Sequence, residues 1–183
     1  MKRNTQFILL FALFFTSCNN IVFNKPQPVD GKIITNLNNA FPGIFISSDN
    51  DTLTITRNTI SLGSGNKFTV TGTLGKNLDV REYSSGFVVN FSDSVKGRLV
   101  WIAYIFKLSN DSLYISFSDF DPNKLDEVEK EIGNIVPFEK IKDENKENSK
   151  IILKPSNSRE FDKLVSAGIF NKTISMKMEK PKP

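Results

Sequence analysis

Asp119 and Asp121 flank Phe120 at the end of an alternating stretch, and carboxylates spaced in this way can share a metal ion or act on a glycosidic bond as acid and base. The same residues also suit a structural use. Asp121 stands immediately before Pro122, the pattern of a helix cap followed by the first helical residue. Capping is the expected use, with Asp119 facing solvent. Gly63-Ser64-Gly65 has the composition of a phosphate cradle, but no helical pattern follows it to supply the dipole that such a site needs. A hairpin turn is expected there instead. Phe87, Phe91, Trp101, Tyr104 and Phe117 can line an apolar cavity, although their spacing is that of ordinary core. No catalytic, cofactor-binding or metal-binding residue is assigned.

The chain contains no histidine and a single cysteine, Cys18. This removes the side chain best suited to proton transfer near neutral pH and the commonest ligand of transition metals. A lone cysteine also excludes an internal disulfide. Ser-His and Cys-His nucleophile systems cannot be assembled, so the protein is expected to be no enzyme and to hold no metal. The net charge of +4 includes Lys2 and Arg3, and the remaining lysines are scattered among acids. No basic stripe of the kind that reads nucleic acid is present.

Lys2 and Arg3 precede an unbroken apolar run over residues 7–15, and the small side chains of Thr16 and Ser17 follow. These are the parts of a secretory signal. About nine residues at 1.5 Å each cover roughly half of a hydrocarbon core of about 30 Å, too little for a transmembrane helix. Phe15-Thr16-Ser17-Cys18 resembles the lipobox of bacterial lipoproteins, with phenylalanine at the usual leucine position. The resemblance implies cleavage between Ser17 and Cys18, a diacylglyceryl group on the Cys18 thiol and acylation of the new amine, with palmitate among the fatty acids. It places the protein in the bacterial cell envelope, held on a membrane through Cys18. Surface-directed lipoproteins of the Bacteroidetes type carry acidic residues soon after the cysteine, whereas here none precedes Asp30. By that resemblance the periplasmic leaflet of the outer membrane is favoured over the cell surface. Residues 18–30, with Lys25, Pro26 and Pro28 and little periodicity, are expected to be the lipidated N-terminus and a tether. Residues 31–183 are long enough for one domain with its own core.

Within that domain the dominant pattern has period two. Leu53 and Ile55 alternate with threonines, as do Phe68, Val70 and Leu74, which is the signature of half-buried strands. Further strands are expected over 44–47, 59–62, 78–83, 87–91, 98–108 and 112–117, with short polar turns between them that include residues 92–97. The stretch 99–106 is apolar on both faces and should be a central strand covered on each side. Leu125, Val128 and Ile132 form the stripe of a first helix after Asp121-Pro122. Asn157 with Glu160 caps a second, whose inner face carries Phe161, Leu164, Val165 and Gly168. Strands over 151–154 and 172–178 complete an α+β fold, a mainly antiparallel sheet or partly closed barrel with two helices near the C-terminus.

Leu153-Lys154-Pro155-Ser156, Glu160-Phe161-x-x-Leu164 and Gly168-Ile169-Phe170 resemble the C-terminal part of a group of Bacteroidetes lipoproteins with no assigned activity. The residues around Trp101 and Asp111-Ser112-Leu113-Tyr114 are similar in the same way. Gly43-x-Phe45, ahead of a run of strands, resembles the Gly-x-Trp opening of lipocalin-type barrels. The first resemblance implies no activity, and the second bears on architecture alone. Two readings from different classes remain: a non-enzymatic envelope lipoprotein that presents a β-rich domain to another envelope protein, and a lipocalin-like binder of a small apolar ligand. The two differ in what fills the sheet.

Overall fold

The computed structural model describes residues 20–41, 43–64, 67–84, 86–141 and 149–179. Cys18 and the signal stretch therefore lie outside the described residues, as do Gly65 and most of the charged loop after residue 141. The architecture is the expected α+β one. Twelve strands form a single sheet that is antiparallel in all described pairings but two. They are β1 (Ile21–Phe23), β2 (Gly43–Ile46), β3 (Asp51–Ile55), β4 (Thr59–Ser64), β5 (Lys67–Thr73), β6 (Leu78–Tyr83), β7 (Gly86–Val95), β8 (Arg98–Ser109), β9 (Ser112–Phe117), β10 (Phe138–Ile141), β11 (Lys150–Leu153) and β12 (Lys172–Met178). The helices are α1 (Leu125–Gly133) and α2 (Ser158–Ser166).

β8 organises the sheet. One edge pairs with β7 from Arg98 to Phe106. The other edge is shared: β9 takes Ile105 to Ser109, and β1 meets Trp101 through Phe23. Two limbs leave from this fork. One runs β9-β12-β2-β3-β4-β5, and the other runs β1-β11-β10. Residues 92–95, expected to belong to a turn, extend β7 instead, and the reversal is confined to Lys96 and Gly97, both with positive φ.

The alternation in β8 sends successive side chains to two cores. Tyr104 and Phe106 enter the first, together with Phe45, Leu53, Ile60, Leu62, Leu113 and Met176 from the long limb. Residues from strands so far apart in sheet order meet only because the limb curls over them. Phe41 and Leu37, from the connection before β2, plug this interior and are fully buried. Ring pairs fill it: Phe41 with Phe87 at 4.5 Å, Phe41 with Phe106 at 5.6 Å, and Phe91 with Tyr104 at 5.9 Å.

Trp101, Ala103 and Ile105 face the second core, which the helices cover as expected. Leu125, Val128 and Ile132 of α1 and Phe161 and Leu164 of α2 are its buried helical residues. Phe161 packs against Phe23, Tyr83 and Phe170 with centroids 5.9, 5.2 and 5.6 Å away. Asn157 caps α2 by accepting from the Glu160 amide at 3.0 Å. Gly168, expected on the inner helical face, lies two residues past the last helical residue, Ser166. With φ +78 it closes a Schellman turn, Gly168 N donating to Val165 O and Ile169 N to Leu164 O.

The expected tether over 18–30 needs correction for its described part. Ile21, Val22 and Phe23 are at most 2% exposed and form an inner strand, parallel to β11 at Ile21–Ile151 and antiparallel to β8. Asn20 is 1% exposed, its carbonyl accepting from Ile151 N at 2.7 Å. Residues 20–23 thus belong to the folded domain, ahead of the expected start at residue 31. Three apolar side chains contribute roughly 1.5–3 kcal/mol each on burial, more than a solvated tether could offer in exchange.

Candidate functional site

After β1 the chain crosses the helix-side face of β6 and β7, and buried polar groups fix its path. Asn90, fully buried, accepts from Gln27 N at 2.8 Å and donates through Nδ2 to Gln27 O at 2.8 Å. Arg81 donates to the carbonyls of Pro28 and Val29 and holds Asp79 by an Nε–Oδ1 contact of 2.8 Å. Asp30 then accepts from both the amide and the hydroxyl of Ser158 at the start of α2. The Ser158 hydroxyl, ahead of smaller contributions, lowers the Asp30 pKa. Residues 32–34 add to the edge of β6, with Ile33 bridged to Arg81, Ile34 N donating to Val80 O and Glu82 N to Lys32 O.

This path leaves an open groove of about 610 Å³, with Ile33, Thr35, Leu74, Lys76, Asp79 and Trp101 in its walls. Ile33 is 55% exposed at its lip. Leu99, 63% exposed, lies two residues before Trp101 and so on the same face of β8. Large apolar side chains gathered at a surface, with one cation and one carboxylate beside them, suit the reception of apolar side chains from another protein. A smaller hollow of about 220 Å³ lies between Tyr83, Ile105, Val165 and Phe170. Burial, and then a hydrogen bond and the charge of Asp162, push the Tyr83 phenol up to about 12, so it stays neutral at any physiological pH.

The residues singled out by chemistry take structural places. Asp121 accepts from the amide and the side chain of Asn123 at 2.9 and 3.0 Å and caps a short 3-10 turn that leads into α1. Asp119 is exposed, its peptide group clamped by Asn171 through two 2.8 Å bonds. Gly63 and Ser64 belong to the β4–β5 hairpin, and strand follows them, not helix. Among the aromatics, Phe87, Phe91, Tyr104 and Phe117 share the first core, while Trp101 lies on the opposite face. They do not form one lining. Among the described residues no group of three or more metal-ligating side chains occurs, and no helix is long and apolar enough to cross a membrane.

Ile33, Thr35 and Lys76 were not legible as site residues. Their relation depends on an isolated bridge to Arg81 and on the turn between β5 and β6, neither of which leaves a periodic signal. Fold and surface together define, among the described residues, an α+β protein with an open, curled sheet, buried side chains such as Phe41, Phe45 and Phe106 in its interior, and an apolar groove on its outside. No protein family, no curated relative and no solved structure matches the chain.

Proposed function

We propose that the chain is a non-enzymatic lipoprotein of the bacterial cell envelope. It is cleaved between Ser17 and Cys18, anchored by lipid on Cys18, and presents its β-rich domain to another envelope protein. The periplasmic leaflet of the outer membrane is its proposed address. The observation that carries the display role is the filled interior. Phe41, Phe45 and Phe106 are at most 2% exposed where a lipocalin-like binder would keep its ligand. The apolar surface available to a partner is instead on the outside, at Ile33, Leu99 and Trp101. The anchor rests on the charged start, the apolar run and the lipobox-like residues 15–18. The lack of histidine supports the non-enzymatic reading.

Growth with radiolabelled palmitate tests the anchor. The native protein should carry label and the Cys18→Ser variant none, and an unlabelled native protein would overturn this part. An environment-sensitive apolar dye tests the interior. Saturable uptake of one dye per chain, unaffected by Trp101→Ala, would favour an internal ligand site over display.

A further inference from the structure

Resting on the display reading, we infer that the partner is held as an added strand. An extended, largely apolar segment that carries a carboxylate pairs with the backbone of Ile33 and lays side chains in the groove toward Trp101. Residues 32–34 form an edge of their own along β6. Ile34 N donates to Val80 O at 2.8 Å and Glu82 N to Lys32 O at 2.9 Å, on either side of the antiparallel bridge between Ile33 and Arg81. Bonds placed in this way flank a pair that shares none itself, so the N–H and C=O of Ile33 point away from β6. Neither group has a partner among the described residues. The Ile33 side chain is 55% exposed, and Lys32 and Thr35 are exposed beside it. A free donor, a free acceptor and an apolar side chain on an open edge are a template for one more strand.

The neighbouring edge of β5 is closed to such pairing. Thr73 N donates to Asn77 Oδ1 at 2.8 Å, and Asn77 Nδ2 donates to Thr71 O at 3.0 Å. The Asn77 carboxamide thus takes the place that a peptide group of an added strand would fill. At Ile33 the pairing direction also suits the groove. Ile33 shares the face of Arg81, which in β6 is the face of Asp79. Alternate side chains of an added strand fall on this face, where Thr35, Leu74 and Trp101 wall the groove. Charge then narrows the choice of segment. Asp79 is held by Arg81 at 2.8 Å and Lys32 by Glu82 at 2.8 Å. Lys76, exposed on the turn before β6, has no ion pair among the described residues. A carboxylate on the incoming segment complements that unopposed ammonium.

The test uses the full-length chain in detergent micelles and acetylated, amidated peptides of about seven residues, the length of a short strand. In these leucine alternates with threonine, and one threonine is exchanged for glutamate or for lysine. Fluorescence of Trp101, the only tryptophan, reports occupancy. The glutamate peptide should give a saturable change. Methylating its amide nitrogens one at a time should weaken binding about tenfold at the position facing Ile33 and little at the next, the order expected for one lost hydrogen bond. Lys76→Glu should reverse the preference, so that the lysine peptide binds the variant better. No saturable change, equal binding by every methylated peptide, or a charge preference that Lys76→Glu leaves intact would overturn the added strand while the display reading stands. A chain that sediments as a dimer until peptide dissociates it would make a second copy the occupant and overturn the choice of partner. Dye uptake that neither the peptide nor Trp101→Ala affects would overturn the display reading instead.

Discussion

Replacing Asn90 with alanine tests whether the segment after β1 belongs to the domain. The Asn90 carboxamide satisfies both backbone groups of Gln27, a residue that is itself fully buried, and its Nδ2 also lies 3.3 Å from Asp79 O. Asn90→Ala removes both partners. A buried donor and a buried acceptor left unpaired cost about 1–3 kcal/mol each, so a loss of about 3–4 kcal/mol is expected. With a urea m-value of about 2 kcal/mol/M, the midpoint should fall by roughly 1.5–2 M. Trp101, the only tryptophan and the cross-strand neighbour of Phe23, supplies the fluorescence readout. Asn90→Asp sharpens the test. The oxygen replacing Nδ2 would face the Gln27 and Asp79 carbonyls, so the new carboxyl should favour its protonated, donating form. Its folded pKa would then lie above the unfolded value of about 3.9, and stability relative to the native protein would be best below that value and decline as pH rises through the folded pKa. A loss under about 1 kcal/mol for Asn90→Ala, with no pH trend for Asn90→Asp, would refute the reasoning.

Other substitutions probe the two cores and the groove. Phe106→Ala should cost about 3–5 kcal/mol in the same urea assay, since the ring is 2% exposed and wedged against Phe41. Trp101→Ala should cost less, about 1–3 kcal/mol, because the indole is only half-buried in the groove wall. Gly86→Ala should destabilise by more than about 2 kcal/mol, as its Cβ would fall 2.2 Å from the Phe106 carbonyl oxygen, a backbone atom that cannot move aside. Tyr83 should ionise near 12, seen as phenolate absorbance missing from Tyr83→Phe. Because its folded pKa is raised above about 10, its contribution is complete below pH 10 and lost between about 10 and 12. After allowance for partial exposure that contribution is about 1 kcal/mol.

Most strands were legible because one face is apolar and the other carries threonine or serine, as in β3, where burial alternates residue by residue. Both helices were legible from their caps and stripes. β1 was not. Ile-Val-Phe is too short to show a period, and its partners lie near residues 101 and 151. β10 failed for a similar reason, its Glu139 and Lys140 pointing to ion pairs with Arg98, Lys154, Glu129 and Asp126 instead of marking a loop. The far end of β7 was read as a turn because Ser92, Asp93 and Ser94 are polar, yet they pair along β8. The groove was illegible because it is assembled from connections. Cys18 presents the opposite case: its assignment comes wholly from local sequence, since it lies outside the described residues.

The mass of the mature N-terminal peptide tests the anchor most directly. After proteolysis of the protein extracted from membranes, the account predicts a peptide that begins at Cys18 and carries diacylglyceryl and amide-linked acyl mass. It should be followed directly by peptides of the folded domain that resist limited digestion from about residue 20 onward. A mature peptide that begins elsewhere, or one that begins at Cys18 with an unmodified thiol, would contradict it.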